Sequence, residues 1–239
     1  MPGDRQLVAD PKELRGLGRW EEALALTEDP LARADLLNEQ ALFTGSAEAR
    51  DEARRELLRA EARLVQEQGR VLHAKFLAER GPEDPHELAL FERSLELARE
   101  AGDRRLEGWA RFWIGIVHQV VREESDASLP HFEFAYEVAK EHDDNLLQSY
   151  AIRHLGFAWH EAGQREEGLR ALEESVELRR AEGFLPGVAA GLLTLGEIAL
   201  EEDRRDDARQ LLVEAKEAAD RSGAAAFGRR IDAALAELA

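Results

Sequence analysis

One spacing governs what this chain can fold into. An apolar residue followed by glycine recurs as Ile114-Gly115, Leu155-Gly156 and Leu195-Gly196, at steps of 41 and 40 residues. A second series keeps the same beat: Phe91, Phe132, Leu172 and Leu212 stand 41, 40 and 40 residues apart. Three residues beyond each comes a small side chain, Ser94, Ala135, Ser175 or Ala215. Before Phe91 the step shortens to 34, linking Leu57 to Phe91, Ala60 to Ser94 and Leu64 to Ala98. A period of this length marks a chain of repeated supersecondary units that bury one another's apolar faces, since no single unit can do so alone.

Composition decides what those units are made of. Val, Ile and Thr together number only 18 of 239 residues, too few to furnish a buried sheet, whereas Ala, Leu, Glu and Arg dominate and favour helix. Within residues 145–183 the first helix sets Ala151, Leu155, Ala158 and Trp159 on one face. Glu161-Ala162-Gly163-Gln164 makes a corner, and a second helix buries Leu169, Leu172, Val176 and Leu178 before Glu182-Gly183 ends it. Gly81, Arg122, Gly163 and Asp203 fall on equivalent corners. Ala101-Gly102-Asp103, His142-Asp143-Asp144, Glu182-Gly183 and Ser222-Gly223 mark the joins between units.

Helix pairs with an apolar-glycine step in the first helix and a small residue at the crossing of the second resemble tetratricopeptide repeats. The fragment Gly18-Arg19-Trp20-Glu21-Glu22-Ala23 is similar to that family's second-helix opening. The 40-residue period resembles the longer variant of kinesin light chains and of bacterial regulator sensor domains. The pattern departs from the family at Ala74, which stands where the glycine belongs, and at Arg70 and Arg111, which replace apolar residues. The resemblance implies one all-α domain over residues 1–239, a right-handed α-solenoid of stacked antiparallel helix pairs. Its units cover residues 11–29 in part, then 31–68, 69–103, 106–144, 145–183 and 186–223. Residues 224–239 form a capping helix with Phe227, Ile231, Leu235 and Leu238 on one face.

Several functions are excluded. Cysteine is absent, which removes disulfides and thiolate chemistry. No apolar run is long enough to span a bilayer, and the first residues lack a secretory pattern, so a cytoplasmic location is expected. A formal charge of −18 opposes nucleic acid and anionic membranes. The seven histidines show no ligand spacing: His154 and His160 project from different faces of a helix, and His142-Asp143 lies on a join. His73 and His118 fall near core-facing positions as hydrogen-bonded imidazoles. No nucleophile elbow, phosphate loop or calcium loop is present. The sequence therefore predicts no catalytic residue, metal or cofactor, and a protein that is not an enzyme.

The aromatic residues carry the remaining signal. Trp113 and Trp159 are expected in the core. In the tetratricopeptide family the concave wall is built by first helices, and that frame implies Trp109, Phe112, Ile116 and Gln119 in one unit. The next unit contributes Tyr150, Arg153, Phe157 and His160. The last contributes Ala190, Leu193, Glu197 and Leu200, and Val71 and Lys75 extend the wall upstream. An aromatic groove with Arg153 and His160 as polar handles implies a protein scaffold that binds a peptide or partner helix, with Arg153 meeting a ligand carboxylate. The alternative is a regulatory sensor module acting on a transcription-regulator or signalling partner. Open repeat ends also permit a homodimer.

Overall fold

A computed structural model describes residues 10–238. These residues form twelve α-helices and one π-helical turn, with no strand among them. Consecutive helices pack in adjacent pairs, an arrangement consistent with a helical-repeat array. The chain divides into two compact units, one ending at Ala110 and the other beginning at Arg111.

The first unit contains α1 (Pro11–Gly16), α2 (Trp20–Ala25), α3 (Pro30–Thr44), α4 (Ala47–Glu79) and α5 (Pro85–Ala101). It also holds the first half of α6 (Arg104–Ile116). Helix starts follow local chemistry. Asp29 caps α3 by accepting from the Ala32 amide at 2.8 Å, and Pro30 supplies the first turn with a preset φ. Gly45 ends α3 at φ 72°, and Ser46 opens α4 by accepting from the Ala49 amide at 3.1 Å.

Helix α4 departs from the expected organisation. Its 33 residues run unbroken through the join expected at residues 68–69. Nothing there is able to stop a helix: Gln66-Glu67-Gln68 are good helix formers, and Gly69 keeps helical geometry. Ala49 and Ala53 pack with Leu37 of α3, whereas Ala62 packs with Leu97 and Ala98 of α5. The close-approach glycine of this repeat is Gly69, not a residue at the Ala74 position. A Cβ on Gly69 would lie 2.6 Å from the Phe91 ring.

The second unit contains the rest of α6, the π-turn Val117–Val121, α7 (Ser125–Glu141) and α8 (Asn145–Glu161). It continues with α9 (Arg165–Ala181), α10 (Leu185–Glu201), α11 (Arg205–Ser222) and α12 (Ala225–Ala236). Gly115 meets Phe132, Gly156 meets Leu172, and Gly196 meets Leu212. The residue at positive φ in each corner comes at Glu123, Gly163 and Asp203, 40 residues apart each time. From the glycine to that corner there are eight residues in the first case and seven in the others. The π-turn supplies the extra residue, which is why Gly115 and Gly156 are 41 apart. It also moves the corner to Glu123 from the expected Arg122, whose φ is −101°. The joins at Gly102, Asp143, Gly183 and Gly223 all have positive φ.

Helix α12 lies against α10 and α11 and buries Ile231, with Phe227 and Leu235 partly covered by the same core. Leu178 is only half-buried, whereas Arg179, next along the chain, is 2% exposed. The stripe from Leu172 through Ser175 and Val176 continues at helical spacing onto Arg179. Trp113 and Trp159 are half-buried rather than core, in keeping with the size of the indole.

Candidate functional site

The first-helix residues of the second unit converge on α8 and α10. Phe112 is 1% exposed, with its ring centroid 5.2 Å from Trp113, 5.8 Å from Phe132 and 5.5 Å from Tyr150. It is a core side chain and lines no wall, because α7 and α8 close over it. Ile116 and Leu193 are buried as well, Leu193 in the core that α10 shares with α9, α11 and α12. Trp109, in the first unit, is half-buried. Val71 is 68% exposed on α4, with Lys75 exposed one turn along.

Gln119 is tied down rather than presented. Its Nε2 donates to the His154 carbonyl at 3.1 Å, and its Oε1 accepts from His154 Nδ1 at 2.6 Å. An amide oxygen only accepts, so this imidazole carries its proton on Nδ1. The pair links the π-turn to α8. Tyr150 is half-buried, with Phe112 on one side, Phe184 at 6.2 Å on another, and the Arg179 guanidinium 5.0 Å from its ring centre.

Arg153 sits at the centre of what remains. Its guanidinium carbon lies 4.6 Å from the centre of the Phe157 ring, and Nη2 donates to Thr194 Oγ1 on α10 at 3.0 Å. Nη1 is buried without a hydrogen-bond partner, and Arg153 forms no ion pair. Burial, reinforced by Arg179 and Arg230, pushes its pKa down to about 9, while Glu197 acts in the opposite sense. Glu197 is engaged with Arg230 of α12, accepting at 2.9 and 3.2 Å. One turn beyond Phe157, the half-buried His160 leaves Nε2 without a partner. Ala190 and Leu200 are half-buried on α10.

Arg179, 2% exposed, is a buried cation without a carboxylate. It donates to the Gly187 carbonyl at 3.0 Å, and burial holds its pKa down at about 10. Two arginines, Arg153 on α8 and Arg179 reaching in from α9, thus form no ion pair, where buried cations ordinarily have acidic partners. Sequence reasoning missed Arg179, Thr194 and Arg230. Arg179 was recoverable from its place on the apolar stripe of α9, whereas Thr194 and Arg230 become neighbours of this face only through packing between helices.

Among the described residues no three His, Asp or Glu side chains converge as metal ligands. None of the described helices is long and apolar enough to cross a membrane. Neither models of known protein families nor curated proteins give a match to this chain.

Proposed function

We propose that this protein is a non-enzymatic interaction scaffold of the tetratricopeptide type, a right-handed solenoid whose first-helix face on α8 and α10 binds a carboxylate-bearing segment of a partner polypeptide. The observation that supports this reading most directly is the Arg153 guanidinium, pressed against Phe157 with Nη1 unpartnered and no acid paired to it. A half-buried guanidinium with one nitrogen buried and unpartnered is costly until an anion meets it, and a ligand carboxylate makes charge-assisted hydrogen bonds that a neutral ligand lacks. Tyr150 and Phe157 supply apolar area beside the charge, and nearby His160 keeps a buried ring nitrogen without a partner. This is the mixture that anchors peptides.

A peptide array tests the reading, with each sequence presented with Glu or with the isosteric Gln. Glu-bearing members are expected to bind about tenfold more tightly, the value of one charge-assisted contact. Arg153→Glu combined with Tyr150→Ala is expected to remove that preference while leaving the helical circular dichroism intact. An array indifferent to the Glu/Gln exchange would remove the α8–α10 face from consideration.

A further inference from the structure

A separate cleft opens between α9 and α11, sharing no residue with the Arg153 face. Its volume is about 340 Å³, and α10 forms its floor. Val176, Leu192 and Leu195 are buried at the bottom, with Leu169 and Leu211 on the two walls. Both ends are bridged by ion pairs. Arg180 of α9 donates to Glu214 of α11 and to Glu177 at one end, and Glu202 accepts from Arg165 and Arg204 at the other. These pairs hold the two walls apart over an apolar floor.

The rim is acidic and unbalanced. Four carboxylates, Glu173, Glu177, Glu202 and Glu214, line it with two guanidinia, Arg180 and Arg204, and a third, Arg165, pairs with Glu202 from beside the cleft. The carboxylate without an ion pair or hydrogen bond is Glu173, exposed on the α9 wall between the two bridged ends. The two arginines bind Glu and Asp partners already, so the cleft has no cation to offer an anionic ligand. An anion would also meet the surrounding net charge of −18.

We propose that this cleft binds a free aliphatic primary amine, its chain on the leucine floor and its ammonium group at Glu173. Three features select that class. The apolar floor rewards a short alkyl chain, because burying it removes water from both surfaces. The volume lies near the small end of ligand cavities, room for a few methylenes but not for a helix. The ammonium is a compact charge with three donors, suited to an isolated carboxylate, whereas a planar guanidinium requires a paired acceptor edge. The site is independent of the Arg153 reading, and it would make the protein responsive to a small cation.

Titration calorimetry on the full chain tests this with hexylamine, hexan-1-ol and hexanoate. Hexylamine is expected to bind at one saturable site, about tenfold more tightly than hexan-1-ol, with no binding of hexanoate. Glu173→Gln is expected to weaken hexylamine about fivefold or more, and Glu173→Lys to abolish binding, with melting temperatures unchanged because the side chain is exposed and unpaired. Equal binding of amine and alcohol, or amine binding indifferent to Glu173→Lys, would overturn the proposal, as would no hexylamine binding at millimolar concentration.

Discussion

Gly115 and Phe132 are in such close register that a Cβ on Gly115 would stand 2.7 Å from the ring. The same relation recurs between Gly69 and Phe91 at 2.6 Å and between Gly196 and Leu212 at 2.8 Å. The apolar-glycine step therefore exists because the second helix of each pair drops a large side chain onto the backbone of the first.

Gly115→Ala is expected to destabilise the protein by about 1–2 kcal/mol, since overpacking a tight crossing outweighs the gain in helix propensity. Gly228, inside α12, has nothing within 4 Å of its would-be Cβ. Gly228→Ala is accordingly expected to stabilise by about 0.5–1 kcal/mol. Urea unfolding of the two variants decides both signs.

The two ion-pair-free arginines should respond oppositely to replacement. Arg153→Met removes an unpaired guanidinium while Thr194 Oγ1 keeps its bond to the Ala190 carbonyl at 3.2 Å. A gain of about 1 kcal/mol is expected. Arg179→Met removes the side-chain donor to the Gly187 carbonyl and empties a buried site, and is expected to cost about 1–3 kcal/mol. If both variants lose stability equally, Arg153 is a structural residue.

His131 predicts a pH dependence. Its ring stacks on His118 at 5.8 Å, Nδ1 is buried without a partner, and burial, then His118 and Arg111, push its pKa from 6.5 down to about 4. Between those values the unfolded chain binds a proton that the folded chain refuses, so stability falls as pH drops through this window. With partial exposure discounted, the loss from pH 7 to pH 5 is expected to be about 1 kcal/mol. His131→Gln should flatten the slope by that amount in paired denaturation curves. An unchanged slope would place the imidazole in contact with water.

The joins give the last contrast. Asp143 holds φ 51° where Gly102, Gly183 and Gly223 hold 66–69°. Asp143→Gly is expected to gain about 0.5–1 kcal/mol, and Gly183→Ala to lose about 1 kcal/mol, because a Cβ is disfavoured in that conformation. Thermal melts of the pair test it.

The class of fold and its 40-residue beat were legible because they are carried by residues whose chemistry is local. Gly115, Gly156 and Gly196 answer to steric contact, and Gly183 and Gly223 to backbone angle. The uninterrupted α4 was not legible, since the unit division implied by the resemblance set a boundary at residues 68–69. The connection Arg80–Asp84 has five residues, against three at the later corners. At the candidate site, Tyr150, Arg153 and Phe157 were named from the register of the family that the sequence resembles. The same register misplaced Phe112, which fits the repeat frame but is covered by α7 and α8. The Arg153–Thr194 bond spans 41 residues and the Glu197–Arg230 pair spans 33, so both depend on neighbouring helices that a linear pattern does not position.

Helix α4 serves two partners at once, α3 along its first half and α5 along its second. Repeat arrays ordinarily melt piecemeal, each element surrendering to heat or force independently of those further along. A single rod shared by successive pairs forbids that in the first unit. Pulling or proteolysis that frees α3 strips the same rod that supports α5, so this stretch should give way in one step, while the shorter helices beyond residue 145 retain the freedom to fray one hairpin at a time.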